Sequence, residues 1–122
     1  MFVKRIKSWN NYPKVKHKSF QFIKKDIAVN FDSGNNLVHG LGRSYGDVCL
    51  NENGNLILTN ELNEVLEFNK DTGILKCNAG ISLKQILNLI SPNGWFLPVV
   101  PGTRNITLGG AIANDIHGKN HH

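Results

Sequence analysis

Residues that could bind a cofactor and act on a substrate are concentrated in two glycine-rich segments of this sequence. The first is Gly40–Asp47, and the second is Pro101–Ala113, which runs directly into Asp115, His117 and Lys119. Glycine and alanine let the main chain approach a flat ligand closely, and they leave amide N–H groups free to point at it. We therefore predict a backbone-lined cofactor site with ionisable side chains next to it.

The first segment differs from two familiar phosphate-binding loops. Its spacing is G-x-G-x-x-x-G, longer than the Rossmann fingerprint, and turn-forming residues rather than a helix follow it. Asp47 stands where a Walker A loop has lysine followed by serine or threonine. A run of N–H groups closed by Ser44 can still bind a diphosphate, with Arg43 as the counter-charge. The alternative is an ordinary turn with glycine at positive φ.

The end of the sequence contains an H-x-x-x-H spacing at His117 and His121, with His122 beside it. On a helix, this spacing would place two imidazoles on one face, where they could bind zinc. Gly118 and Asn120 disfavour a helix here, and no glutamate supplies the general base of an H-E-x-x-H motif. We predict no metal site.

The composition is that of a globular domain with a limited core, since the sequence has 122 residues and 40% of them are hydrophobic. It contains no apolar run of about 18 residues that could span a membrane, and its N-terminus lacks the apolar region of a secretory signal. We therefore expect a cytoplasmic location. Cys49 and Cys77 lack C-x-x-C spacing, so reduced thiols are favoured over a disulfide. Because the sequence stops directly after its most distinctive motif, we expect a fragment that is inactive alone.

The positive charge of the sequence lies at its N-terminus. Residues 1–25 hold eight of the fourteen basic side chains and no acidic one, so the remainder, with six basic and nine acidic side chains, has a net charge of −3. Such an arm could contact the inner face of an anionic membrane or a nucleic acid. Alternatively, it is a solvated arm that docks on the rest of the protein. Nucleic acid is disfavoured, because no nucleic-acid-binding module follows the arm.

Short strands and one helix are expected to position the two segments. Apolar runs bounded by Asn, Asp and Gly predict strands at Ile27–Asn30, Asn36–His39, Asn55–Thr59, Val65–Phe68 and Ile74–Asn78. The Asp and Gly between the last two runs suit a tight hairpin turn. A helix is predicted to begin at Ser82, because Ser82 and Gln85 form a capping box and apolar residues follow at helical spacing. Pro92 and Asn93-Gly94 end it.

Together, these features resemble the FAD-binding domain of the vanillyl-alcohol oxidase and p-cresol methylhydroxylase (PCMH) superfamily. The resemblance covers residues 36–122, and it rests on Gly40–Asp47 with Asn51, on Asn78-Ala79-Gly80, on Pro98–Arg104 and on Thr107–Ala113. The ending Asp115–His122 is similar to that of the decaprenylphosphoryl-ribose 2-oxidase branch.

The resemblance implies an α+β fold of the PCMH type, with a small mixed sheet and a packed helix. The chain would hold the first lobe and the start of the second, and FAD would lie between the lobes. Residues 1–35 would form a basic N-terminal arm and a lead-in strand. Residues 36–122 would form the N-terminal part of the FAD-binding domain, with the substrate domain beyond them.

The resemblance also implies roles for single residues. The Gly40–Gly46 backbone and the Ser44 hydroxyl would contact the FAD diphosphate, while His117 and Lys119 would be catalytic at the flavin and the substrate pocket. The residues implied to bind the cofactor are Gly40, Leu41, Gly42, Arg43, Ser44, Tyr45, Gly46, Asn51, Gly102, Thr103, Gly109, Gly110, Ala113, Asn114 and His117.

Arg43 occupies a position where many superfamily members have a histidine that bonds covalently to the flavin. A guanidinium is not nucleophilic and cannot form that bond. The resemblance therefore implies that FAD is held non-covalently.

The implied function is that of an FAD-dependent oxidoreductase that oxidises a secondary hydroxyl of a sugar by hydride transfer to flavin N5. A polyprenyl-phosphate-linked, ribose-like sugar would be the substrate, in cell-envelope glycan biosynthesis, and a short-chain reductase would be the partner. One alternative is a sugar-lactone or alditol oxidase of the same superfamily. Another is a non-catalytic binding module that uses the basic arm.

Overall fold

The computed structural model describes residues 6–25 and 34–119. Contacts within the chain divide it into two units, residues 1–61 and 62–122. The predicted strand Ile27–Asn30 and the terminal histidines His121 and His122 lie outside the described residues.

The first unit contains a three-stranded parallel sheet. Its strands are β1 (Ser19–Phe22), β2 (Asn36–His39) and β3 (Asn55–Leu58), in the order β1-β3-β2. The central strand carries the core, because Leu56, Ile57 and Leu58 are all buried. A parallel strand covered on both faces requires such a continuous apolar run.

Polar side chains join the three strands at their first residues. Ser19, Asn55 and Asn36 lie side by side in the register of the sheet. Ser19 Oγ donates to Asn55 Oδ1 (2.7 Å), and Asn55 Nδ2 donates to Asn36 Oδ1 (3.0 Å). These side-chain bonds fix where the strands begin.

The second unit begins with the predicted hairpin. Strands β4 (Val65–Phe68) and β5 (Leu75–Cys77) are antiparallel, and the Asn69 side chain accepts from the backbone N–H groups of Asp71 and Thr72 within the turn. Gly73 has φ of 73°, and a Cβ there would lie 2.5 Å from the Trp95 ring. The turn therefore needs glycine both for its backbone and for this packing.

Helix α1 (Leu83–Ile90) follows with the predicted capping box. Ser82 Oγ accepts from the Gln85 N–H, and Gln85 Oε1 accepts from the Ser82 N–H at 2.9 Å. The apolar face of α1 and Ile81 form the core of this unit. A single 3₁₀ turn, Ser91–Asn93, ends the helix at Gly94, whose φ is 82°.

The last element is α2 (Leu108–Ala113), a six-residue helix that begins after Thr107. The α+β class is confirmed, with the strands divided between a parallel and an antiparallel sheet. Two elements were not predicted: α2 contains two glycines, and β1 lies within the lysine-rich segment and is defined by its pairing with β3. Within residues 6–25 and 34–119, no helix is long and apolar enough to cross a membrane.

Candidate functional site

The first glycine-rich segment forms a loop that leaves the end of β2. Its glycines adopt backbone conformations that other residues rarely take, since φ is 67° at Gly42 and 58° at Gly46. Gly42 is buried, and a Cβ there would lie 2.5 Å from the Lys7 carbonyl oxygen. Apart from its chain neighbours, no atom of the described residues lies within 4 Å of the position that a Cβ would take at Gly46. Both glycines are thus needed for φ, but only Gly42 is needed for packing.

The N–H groups of this loop remain available to a ligand. Within the described residues, none of the backbone N–H groups from Leu41 to Gly46 donates a hydrogen bond. The loop is instead anchored through its carbonyl oxygens, with the Trp9 N–H donating to Ser44 O at 3.0 Å. Successive unpaired N–H groups beside left-handed residues form a concave site for an anion. This arrangement fits the diphosphate of FAD.

Two exposed side chains lie on the same loop. The Arg43 guanidinium lies over the Trp9 ring, 5.9 Å from its centroid, and donates to the Leu41 carbonyl. A cation over an indole face is attracted to the ring and held in place. Tyr45 is 73% exposed. The loop therefore presents a fixed positive charge and a phenol ring to solvent, next to the unpaired N–H groups.

Asn51 supports the loop from within the fold. Its Nδ2 donates to the carbonyl oxygens of Asn35 (2.9 Å) and Asn55 (3.0 Å), and the residue is buried. A Cβ at Gly54 would overlap the Asn51 side chain. The observed role of Asn51 is thus to tie the segment after the loop to the sheet, and contact of Asn51 with a cofactor remains a prediction.

The second glycine-rich segment is built on the N-terminus of α1. The first N–H groups of that helix donate to carbonyl oxygens of this segment, from Leu83 to Ile106 (3.0 Å) and from Lys84 to Arg104 (2.9 Å). Helix ends leave such N–H groups without intrahelical partners. Residues 104–106 therefore satisfy the start of α1, and α1 in turn fixes the position of Thr107.

The glycines of α2 have all their N–H groups engaged within the protein. Gly109 N–H donates to Ala79 O (2.8 Å), and Gly110 N–H donates to Thr107 Oγ1 (3.1 Å). A Cβ would lie 3.1 Å from Ala79 Cβ at Gly109 and 2.9 Å from Thr107 Oγ1 at Gly110. Here, glycine permits close packing. The expected free N–H groups belong to the first segment and not to α2.

The exposed residues of the second segment flank the closely packed glycines of α2. Gly102 would accept a Cβ without any contact, and Ala113 and Asn114 are exposed at the end of α2. The Asn114 Nδ2 donates to Gly110 O at 2.7 Å. These are the positions at which a planar ligand could approach this unit.

His117 and Lys119 have exposed side chains on a backbone that is firmly held. Lys119 and Val100 exchange both backbone hydrogen bonds, at 2.9 and 3.0 Å. A Cβ at Gly118 would overlap the Val100 carbonyl, so glycine is required between the two predicted catalytic residues. Their catalytic role remains a prediction.

The structure places the predicted site residues in two sets. Gly40–Gly46 and Asn51 belong to the first unit, and Gly102–Asn114, His117 and Lys119 belong to the second. Sequence reasoning did not identify Trp9 or Lys7 as supports of the first loop. Their only signal was an aromatic residue among lysines, which is also typical of a solvated arm.

Comparison with known proteins gives a family and several relatives. The FAD binding domain family matches residues 32–122. The chain is 46% identical over 86 residues to decaprenylphosphoryl-β-D-ribose oxidase of Mycolicibacterium smegmatis, a match that covers 70% of this chain and 19% of that protein. It is 34% identical over 79 residues to D-lactate dehydrogenase of Archaeoglobus fulgidus, covering 65% of this chain and 17% of that protein. The chain thus spans at most about a fifth of the length of these curated relatives.

Proposed function

The chain belongs to the FAD binding domain family of FAD-dependent oxidoreductases, and from that membership we propose that it forms part of an enzyme that oxidises a secondary hydroxyl of a sugar. The single observation that carries the cofactor assignment is the run of N–H groups from Leu41 to Gly46, which have no hydrogen-bond partner among residues 6–25 and 34–119. The 46% identity to a ribose oxidase supports the sugar. FAD would supply the hydride acceptor.

In this proposal, the first loop binds the FAD diphosphate. Its N–H groups and the Ser44 hydroxyl donate to the phosphate oxygens, and the Arg43 guanidinium offsets their charge. Trp9 limits the freedom of that guanidinium before the ligand arrives, so less side-chain entropy is lost on binding. Arg43 cannot form a flavin bond, and FAD is accordingly held non-covalently.

The second segment then lines the flavin and its ribityl chain. Gly102 offers an open backbone beside the half-buried Thr103, and Ala113 and Asn114 add small exposed surfaces. The Val100–Lys119 pairing fixes the backbone of the segment that carries His117 and Lys119, whose side chains would face the substrate in this proposal. There, His117 accepts or relays the hydroxyl proton, while Lys119 attracts an anionic part of the substrate.

The substrate proposed is a ribose-like sugar carried on a polyprenyl phosphate, in cell-envelope glycan biosynthesis. A short-chain reductase partner would reduce the keto sugar that forms. A second candidate is the oxidation of a 2-hydroxy acid, which the likeness to D-lactate dehydrogenase favours. A sugar-lactone or alditol oxidase of the superfamily is the third.

We further propose a cytoplasmic protein that contacts the anionic inner face of the membrane. Lys14, Lys16 and Lys18 are exposed, and Trp9 and Tyr12 are 50% and 72% exposed beside them. Each such cation contributes about 1 kcal/mol near an anionic surface. The triple exchange of these three lysines for glutamate should abolish co-sedimentation with anionic vesicles and leave flavin content unchanged. Equal sedimentation of both proteins would refute this contact.

The oxidoreductase proposal is tested with the complete protein that carries this chain. It should purify yellow and release its flavin on acid precipitation. Anaerobic mixing with a decaprenylphosphoryl ribose, D-lactate or an aldonolactone should bleach the flavin with the first compound far faster than with the others. Fastest bleaching by D-lactate would replace the sugar with the 2-hydroxy acid, and a colourless protein that does not take up added FAD would refute the proposal altogether.

A further inference from the structure

Two histidines hold the segment that returns from the first glycine-rich loop. His39 Nδ1 lies 2.9 Å from Cys49 O, and His17 Nδ1 lies 2.9 Å from Asn51 O. A carbonyl oxygen can only accept, so each Nδ1 carries a proton and each neutral ring has an unprotonated Nε2. The two imidazoles thus bind the carbonyl groups of Cys49 and Asn51, which are two residues apart.

His39 also touches the loop itself. The residue is buried, and a Cβ at Gly42 would lie 3.3 Å from its Cε1 and 3.4 Å from its Nε2. The His39 ring therefore packs against Gly42. The Lys7 carbonyl oxygen packs on the same glycine and lies 2.5 Å from the position that a Cβ would take. A shift of the His39 ring would therefore move the loop at Gly42, where the backbone is closely packed.

His17 completes the arrangement from the segment that leads into β1. Its ring packs edge-on against Phe20, with centroids 5.4 Å apart. Its Nε2 is buried and has no hydrogen-bond partner within the described residues. The Nδ1 bond and the packing on Phe20 therefore hold this ring in place.

We propose that His17 and His39 are positioning residues for the first glycine-rich loop, which hold Gly42 and the following N–H groups in their binding geometry. This inference rests on the proposed function, since the loop is taken to bind FAD. Neither histidine contacts the cofactor in this proposal. Both act through the carbonyl groups of Cys49 and Asn51.

The charge state of His39 makes the proposal pH-dependent. Burial lowers the pKa of His39 below its usual value of 6.5, and the nearby His17 lowers it further, whereas the bond to the Cys49 carbonyl opposes both effects. A depressed histidine pKa means that the folded loop disfavours the proton. Its contribution to stability is therefore present above pH 6.5 and is lost as the pH falls through the lowered pKa.

The test compares variants that keep or remove the Nδ1 donor in the complete protein. In His39→Asn and His17→Asn, the amide nitrogen can replace Nδ1. His39→Leu removes the imidazole donor from the Cys49 carbonyl, and His17→Leu leaves the Asn51 carbonyl with the Gly54 N–H alone, which lies at 3.1 Å. Each leucine variant should weaken FAD binding at pH 8 by about tenfold, as expected for one lost buried bond. Each asparagine variant should stay within about threefold of the wild type, and His39→Asn should also lose the dependence on pH between 8 and 5.5.

Asn93→Leu is the matched control, because the Asn93 side chain also donates to a carbonyl oxygen, that of Leu89 at 2.8 Å, but in the second unit. It should lower Tm and leave FAD affinity unchanged. If the leucine variants of the histidines do the same, or if the asparagine variants lose as much affinity as the leucine ones, the positioning role is wrong.

Hydrogen exchange of peptides that span residues 40–51 separates this inference from the proposed function. Wild-type protein without FAD should exchange faster at pH 5.5 than at pH 8, after correction for the intrinsic rate, and the leucine variants should exchange fast at both. Unchanged exchange would overturn the inference even where FAD binds. A protein that shows the expected exchange and binds no FAD would instead refute the proposed function alone.

Discussion

The two glycine-rich segments use the same residue for opposite purposes. In the first, Gly42 and Gly46 take left-handed conformations, and the N–H groups from Leu41 to Gly46 remain unpaired within the described part of the chain. In the second, Gly109 and Gly110 are helical, and their N–H groups donate to Ala79 and Thr107. The first segment is therefore equipped to bind an anion, and the second to bring a helix close to its neighbours. Glycine content alone does not distinguish these two roles.

The largest expected effect is that of Gly42→Val. A branched side chain would overlap the Lys7 carbonyl oxygen and force a β-branched residue to φ of 67°, at a cost of about 3 kcal/mol or more. We expect loss of the flavin and of cooperative unfolding in the first unit, measured by absorbance and by urea titration. Retention of full flavin occupancy would show that the loop can rearrange without loss of its site.

His117→Ala tests the second unit instead of the first loop, and it removes a side chain rather than a backbone feature. We expect the protein to remain yellow, while substrate reduces its flavin roughly 10²- to 10⁴-fold more slowly. Stopped-flow absorbance measures the rate. Reduction at the wild-type rate would remove His117 from the chemistry.

Gly110→Ala should have a smaller effect that is mainly structural. The added methyl group would lie 2.9 Å from Thr107 Oγ1 and displace the cap of α2, and loss of such a cap costs about 1 kcal/mol. Thermal unfolding should show this loss, and Thr107→Val is the matched variant because it removes the same cap. If Gly110→Ala alone also abolished flavin binding, Gly110 would line the flavin directly, as the resemblance implies.

Gly46→Asn should have the smallest effect of the four. No atom lies within 4 Å of a Cβ at this position, so only the positive φ opposes a side chain, and asparagine tolerates that region better than other residues. We expect a few tenths of a kcal/mol in stability, with Gly46→Val as the comparison at about 1–2 kcal/mol. Equal losses for the two variants would mean that backbone strain is not what glycine relieves here.

The elements that were predicted correctly carry their determinants within a few residues. The capping box of Ser82 and Gln85 defines the start of α1, and Asn69 with Gly73 defines the hairpin turn. By contrast, α2 has only six residues and depends on Thr107 and on contact with Ala79. Strand β1 depends on its pairing with β3, which is distant in sequence. Such long-range partners cannot be identified from local patterns.

The site shows the same division between local and long-range information. Residue types and spacing singled out the loop at Gly40–Gly46, and the resemblance to the PCMH superfamily supplied the cofactor. The packing of Lys7 on Gly42, of Val100 on Gly118 and of His39 beneath the loop depends on how the folded backbone brings these residues together, so spacing gave no signal for these contacts.

The row of side-chain bonds from Ser19 through Asn55 to Asn36 has a consequence for how the first unit assembles. Asn55 and Asn36 are 19 residues apart, whereas Ser19 and Asn55 are 36 apart, so closing the second connection costs more chain entropy. We therefore expect β2 and β3 to associate first and β1 to dock last. A slip of β1 by one residue would break the Ser19 bond and turn Phe20 to the opposite face of the sheet. Only the correct alignment carries His17 to the Asn51 carbonyl, so we expect the Gly40–Gly46 loop to reach its final geometry when β1 docks.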